Sequence, residues 1–286
     1  MPLVNLKTIL DKADRGGYAV GAFNIVDLTF LEAILWAAQR QNSPVILSIA
    51  EVHFPFITLE NVAPIAKMIA ERQKVEVALN LDHGLSMDAI HQATHLGFTS
   101  IMFDGSSLRY TENLRQTKTV VELCHSRGIS VEAELGAVGG AEGGGLMGRA
   151  DPALYTDVNQ AGEFVRETGI DALAVAIGNA HGKYQGKPRL DFERLAAIRE
   201  AAGIPLVLHG GSGIPDDDIR KAISLGIAKI NFFTGMSQAA LGTTRDCVIQ
   251  EQEAYNDYPA LIRRVRGAVC EIVEEQMRIY GSAARG

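Results

Sequence analysis

The sequence predicts a (β/α)8 barrel, an α/β fold of TIM-barrel type, and three observations carry that expectation. Eight short β-rich runs alternate with amphipathic segments from end to end. Most of those runs are uninterrupted apolar stretches, as strands covered on both faces must be. Eight strand-then-helix units over about 240 residues also match the size of such a barrel. A doubly wound open sheet is the competing architecture, because periodicity alone does not separate the two.

The strand candidates are "AVGAFNI" (19–25), "PVILSI" (44–49), "VEVALNL" (75–81), "SIMFDG" (100–105), "SVEAELG" (130–136), "ALAVAIG" (172–178), "IPLVLHG" (204–210) and "IAKINFF" (227–233). Helical patterns fill the gaps. "DLTFLEAILWAAQRQN" sets Leu28, Leu31, Ile34, Leu35 and Ala38 on one stripe, with Asp27 placed as its cap. "SMDAIHQATHLG" opens on Ser86 and closes at Gly97, the residue types that start and stop helices. "DDDIRKAISLG" puts three acidic residues at the positive end of a helix. No Pro/Ser-rich linker divides the chain, so residues 1–286 read as one domain. Residues 245–286 form its helical tail, packed on the barrel or on a neighbouring subunit.

At 286 residues the chain can bury a large core, and 47% apolar with 21% charged residues is a globular balance. A net charge of −7 argues against nucleic-acid or anionic-membrane partners, which need a basic face. It says nothing against holding one phosphate, since backbone N–H groups can do that locally. The N-terminus lacks the pattern of a signal peptide, and no apolar run reaches the roughly 18 residues of a membrane span. Cys124, Cys247 and Cys270 are scattered with no CxxC pair, which fits reduced thiols and a cytoplasmic protein.

Polar residues gather at the C-terminal ends of the strands. Asn24 follows strand 1, Asp82 and His83 strand 3, Asp104 strand 4, and Glu132 and Glu134 lie on strand 5. His181 follows strand 6 in "GNAHGKY", His209 follows strand 7, and Asn231 and Thr234 end strand 8. In a barrel these ends share the face where active sites are built. His83, His181 and His209 then form a candidate divalent-metal site, three neutral imidazoles with an open fourth position. Asp104 and Glu134 are alternate or supporting ligands, or a second metal position. His91 and His95 have metal-pair spacing on a helix, but that helix leads away from this face; they read as surface or packing residues, as do His53 and His125. "HGGSG" (209–213) wraps Gly210, Gly211 and Gly213 around Ser212 before a helix, in the loop region where barrels bind phosphate. The glycine-rich stretch 136–152 carries one acid, Glu142, and reads either as a loop that closes over substrate or as a plain surface loop.

With those motifs in place, the chain resembles the class II, zinc-dependent fructose/tagatose-bisphosphate aldolases. The likeness rests on "GAFNI", "LNLDHG", "IMFDGSSL", "VEAELGAVGGAEGG", "IGNAHGKY", "LHGGSGIP" and "KINFFTG", in family order over most of residues 1 to 240. The resemblance implies a catalytic Zn2+ on His83, His181 and His209, with Glu134 and Asp104 at a nearby or alternate metal position. It implies Asp82 as the acid that protonates the aldehyde oxygen, and Glu142 as the mover of the proton at the substrate carbon. It matches Gly182, Gly210, Gly211, Ser212, Gly213, Asn231 and Thr234 to the dihydroxyacetone-phosphate site, and Asn24 to a position near the substrate hydroxyls. A monovalent cation, Na+ or K+, beside the phosphate loop and a homo-oligomer, dimer or tetramer, are also implied. The activity implied is reversible cleavage of a ketose 1-phosphate or ketose 1,6-bisphosphate to dihydroxyacetone phosphate and an aldehyde, through a metal-stabilised enediolate.

The acceptor side departs from that family's pattern. "SIAEVHFPF" stands where a Ser or Thr near glycine is usual, Ser107 where histidine is common, and Gly143 where aspartate is frequent after Glu142. Phe233 replaces an aspartate found in the fructose-bisphosphate enzymes, and Gly235 replaces an acid after Thr234. These changes predict a substrate other than fructose 1,6-bisphosphate, one releasing a non-phosphorylated or acidic aldehyde. Two alternatives stay open at this level: a metal-dependent barrel hydrolase, and a non-catalytic sugar-phosphate-binding homologue. Against the first, "GAFNIVD" lacks the His-x-His such hydrolases carry on strand 1.

Overall fold

Eight parallel strands hydrogen-bond around a closed ring in the computed structural model, which describes residues 3–140, 147–148, 150–250 and 257–286. They are β1 (Val20–Asn24), β2 (Val45–Ala50), β3 (Val77–Gly84), β4 (Ser100–Phe103), β5 (Ser130–Leu135), β6 (Ala172–Val175), β7 (Leu206–Leu208) and β8 (Ile227–Phe232). Each pairs with its neighbours in sequence, and β1 closes the ring on β8 with Val20 beside Lys229 and Ala22 beside Asn231. The open-sheet alternative is therefore excluded, and all eight expected strands occur.

The helices are α1 (Leu6–Gly16), α2 (Leu28–Gln41), α3 (Leu59–Ala70), α4 (Met87–Leu96), α5 (Tyr110–His125), α6 (Val158–Thr168), α7 (Phe192–Ala202), α8 (Asp216–Ser224), α9 (Thr234–Gln250) and α10 (Tyr258–Ile279). Local chemistry sets their ends. Asp27 accepts the Phe30 N–H at 2.8 Å and Ser86 the Ala89 N–H at 3.1 Å, satisfying first-turn donors that have no helical partner. The expected stripe of α2 shifts, however: Leu28 opens the first turn half exposed, and the buried face runs through Phe30, Leu31, Ile34, Leu35 and Ala38. The tail helix α10 packs on α2 and α9 of its own chain, with the Arg266 guanidinium 4.1 Å from the Trp36 ring centre.

Strand pleating sorts the core into two parts. On β3, Val77, Leu79 and Leu81 join the shell between barrel and helices, while Ala78, Asn80 and Asp82 take the other parity and face the interior. The lower interior is apolar and built from small side chains, among them Ala22, Ala78, Ala172, Ala174 and Ala228 with Val20, Ile46, Met102 and Val207. Leu6, Ile9, Leu10 and Ala13 of α1 join that cluster, so α1 closes the N-terminal mouth. Buried polar side chains share the barrel with it: Ser48, Asn80 and Ser100, with the Ser100 hydroxyl donating to Asn80 Oδ1 at 2.7 Å.

Candidate active site

Asp82 and His83 are neighbours in sequence yet both serve this mouth. Pleating alone would turn His83 toward the helices. Its backbone instead takes φ 44°, a left-handed conformation costly for a residue with a side chain, and the β3–β4 register shifts between Leu81 and Gly84. That kink brings the His83 ring to 4.9 Å from His181 and 4.6 Å from His209, centre to centre; His181 and His209 are 5.7 Å apart. One ligand atom from each of the three imidazoles lies within 4.8 Å of the others, and His83, Asp104 and Glu134 form a second such set. All five expected ligand candidates are thus brought together, with His83 shared.

The environment suits a cation. Burial, followed by the neighbouring His83 and His209, pushes His181 well below the ordinary imidazole pKa, and burial likewise lowers His209, so both favour the neutral, ligating form. Burial and the adjacent Asp104 raise Glu134 to about 8. Asp104 moves the other way: the bond and charge of His83, whose Nδ1 lies 2.7 Å from Asp104 Oδ2, outweigh its burial and hold its carboxyl low. His209 Nδ1 and Glu134 Oε2 are buried with no hydrogen-bond partner among the described residues. A divalent ion bound by neutral imidazoles and carboxylates would satisfy these atoms, so the donor set fits zinc.

Asp82 is fully buried and held at both oxygens. The Asn24 side-chain amide donates to Oδ2 and that of Asn231 to Oδ1, each at 2.8 Å. Burial would raise this carboxyl, but His83, His209, Lys229 and the Asn24 bond together hold it well below the usual carboxylate range. Asn24, expected near the substrate hydroxyls, and Asn231, expected at the dihydroxyacetone-phosphate site, therefore meet on Asp82.

Of the phosphate candidates, Gly182, Gly211, Ser212, Gly213 and Thr234 line a separate cavity of about 490 Å3, while Gly210 and Asn231 are not among its lining residues. Gly210 has φ 66°, and a Cβ there would fall 2.0 Å from the Ala180 carbonyl oxygen, so only glycine fits. Gly213 has φ 91°, and the Ser212 hydroxyl accepts the Gly235 N–H at 3.0 Å, tying this loop to the start of α9. Glu142 lies outside the described residues, as does Gly143. His91 and His95 are exposed on α4, as expected, and His125 is exposed, its Nε2 2.9 Å from Asp171.

Several residues went unassigned in the sequence. Glu132 accepts from Lys229 Nζ at 2.6 Å and lies 3.0 Å from His209 Nε2, all three side chains being fully buried. Lys229 thus lies deep inside the barrel, ion-paired with Glu132. Asn179 donates to the carbonyls of Val175 and His209, and the Tyr184 hydroxyl accepts the Ala180 N–H and donates to the Gly210 carbonyl, both at 2.9 Å. These side chains fix the loops that carry His181 and His209. His53 takes the packing half of its reading: it is 2% exposed with its ring tilted against Phe233, and neither ring nitrogen has a hydrogen-bond partner among the described residues. Only the parity of Glu132 and the "GNAHGKY" context hinted at any of these roles.

The family model for class-II fructose-bisphosphate aldolase matches residues 4–285. The chain belongs to that family. It is 43% identical to a probable fructose-bisphosphate aldolase of Bacillus subtilis, covering 99% of each chain. It is 42% identical to a 6-phospho-5-dehydro-2-deoxy-D-gluconate aldolase of Halalkalibacterium halodurans, covering 100% of this chain and 98% of the other. The crystal structure of the YdjI aldolase from Escherichia coli K12 superposes with a TM-score of 0.89 at 39% identity, over 99% of both chains. The protein is therefore an aldolase, a carbon–carbon lyase, and the hydrolase alternative falls away. Among its described residues no helix is long and apolar enough to cross a membrane.

Proposed function

We propose that this aldolase is zinc-dependent and reversibly cleaves a ketose 1-phosphate or ketose 1,6-bisphosphate to dihydroxyacetone phosphate and an aldehyde. The observation that carries the reading is the convergence of three imidazoles beside an ionised, doubly held carboxylate and a glycine-built phosphate cleft. His83, His181 and His209 would hold the ion, with Asp104 and Glu134 beside it. Zinc there supplies Lewis-acid charge for the electrons that cleavage leaves next to a carbonyl.

The chain's own groups divide the remaining work. The N–H groups of the 210–213 turn and of the start of α9 hold the 1-phosphate, and that remote anchor orients the reacting carbons. Asp82, kept ionised, takes the proton from the hydroxyl on the carbon that becomes the aldehyde; in condensation it returns that proton to the aldehyde oxygen. The buried amide oxygens of Asn24 and Asn231, which have no partner among the described residues, suit hydroxyl donors of the substrate beside it. Glu142 is the proposed carrier of the proton at the ketose carbon. The relatives' names include both a bisphosphate and a phosphorylated sugar acid, so the ketone-phosphate half is common ground and the aldehyde half is what varies.

Metal content together with dihydroxyacetone-phosphate release, with and without exhaustive chelation, tests the reading. Release that stops on chelation and returns with zinc is expected; release indifferent to chelation would overturn it.

A further inference from the structure

Resting on the aldolase reading, we propose that Tyr184 is a positioning residue coupling the phosphate cleft to His181 and His209. A phosphate group bound in the cleft then tightens the site's hold on zinc. One hydroxyl makes the connection. It accepts the Ala180 N–H and donates to the Gly210 carbonyl, each at 2.9 Å. Ala180 directly precedes His181, and Gly210 directly follows His209. A single oxygen atom therefore bridges the backbones beside two of the three candidate ligands.

The same side chain is a wall of the cleft. Tyr184 lines the cavity of about 490 Å3 together with Ser212 and Gly213, and a Cβ at Gly213 would stand 3.4 Å from Tyr184 Cδ2. The peptide that it holds opens the phosphate turn. The hydroxyl fixes the Gly210 carbonyl, and the Gly211 N–H of that same peptide unit donates to the Asn231 carbonyl at 3.0 Å. Bonded at both ends, this peptide keeps one orientation, so the course of the turn depends on where the Tyr184 hydroxyl stands. Asn179 also crosses between the two segments, to the His209 carbonyl at 3.1 Å, but it is not among the residues lining the cavity.

Order can pass through that bridge. A phosphate that settles the turn also settles the Gly210 peptide, and the hydroxyl carries this to Ala180 and His181. Zinc then meets a ligand pair already held in place, which lowers the entropy lost when it binds. Linkage makes the effect mutual: zinc tightens phosphate binding by the same factor. Attraction between zinc and a phosphate dianion adds to the coupling through space. Replacing Tyr184 by Phe removes no charge and leaves that part in place, so the part borne by the hydroxyl can be read separately.

The test measures zinc affinity of the full-length protein by competition with a chromophoric chelator, with and without methyl phosphate. That probe carries the anion but no carbonyl to reach the metal. In the wild type, saturating methyl phosphate should tighten zinc about 5-fold or more, the lower end of ordinary coupling between sites. Tyr184→Phe keeps the ring against Gly213 and loses the bridge. Its zinc affinity should fall about 10-fold, as when a group supporting a metal ligand is removed, and methyl phosphate should then change it by less than about 2-fold. Asn179→Ala, which loosens the His209 segment but keeps the bridge, should weaken zinc and retain the phosphate effect. A wild type without that effect, a Tyr184→Phe variant that keeps it in full, or an Asn179→Ala variant that loses it equally would each overturn the proposal. A wild type that binds no zinc, or that exchanges no solvent deuterium into dihydroxyacetone phosphate when zinc-loaded, would instead defeat the aldolase reading itself.

Discussion

The two mouths of the barrel are built by the same strands and differ in almost every chemical respect. At the N-terminal mouth the inward positions are small and apolar, and α1 lays Leu6, Ile9, Leu10 and Ala13 over them. At the C-terminal mouth the inward positions are Asn24, Asp82, Glu132, Glu134 and Asn231, all buried, with three histidines above them. One end spends its burial on stability. The other keeps costly polar groups buried and satisfies part of them through one another, Asp82 by two amides and Glu132 by Lys229 and His209, while Glu134 Oε2 and the amide oxygens of Asn24 and Asn231 have no partner among the described residues. The difference teaches that activity and stability should respond separately to changes at the two ends.

The sharpest way to break that separation is His209→Ala. It should abolish cleavage and lower bound zinc together, measured by turnover and metal analysis on the same sample; full metal with no activity would move His209 out of the ligand set. Asp82→Ala should retain zinc and phosphate binding while cleavage falls by about 10²–10⁴-fold, the range typical of a general acid–base group. Binding lost in equal measure would refute the proton-transfer role.

Between the two ends sits Lys229. Lys229→Met leaves Glu132 buried without its cation, and denaturant unfolding should show a loss of about 3–5 kcal/mol. A neutral result would mean that His209 alone satisfies Glu132. At the far mouth, Leu10→Ala should cost about 2–5 kcal/mol of stability through the cavity it opens, with kcat unchanged. A fall in kcat would show the two ends to be coupled. His91→Ala, on the exposed side of α4, should shift stability by no more than about 0.5 kcal/mol and leave metal content alone.

Much of this was readable in one dimension. Strand parity is local, so "ALNLDHG" already announced Asp82 as an inward group, and the capping residues Asp27, Ser86 and Gly97 marked helix ends that the structure keeps. Histidines at the end of β3, in the loop after β6 and directly after β7 needed only the barrel to bring them together. Other features depend on neighbours far away in sequence. Glu132 and Lys229 are 97 positions apart, and nothing in either segment says that they pair. The lack of a hydrogen-bond partner for the His53 nitrogens among the described residues is likewise a property of the whole packing, which no local pattern encodes.

By itself, then, the sequence determined the alternation of elements, the parity of each strand and the chemical types that reach the mouth, because those follow from backbone geometry and side-chain identity within a few residues. Only the tertiary structure decided which buried charges pair, that His83 turns inward on a strained backbone and that His53 is buried against Phe233. Those outcomes depend on distances across the barrel, and charge pairing and desolvation act through space without regard to separation along the chain.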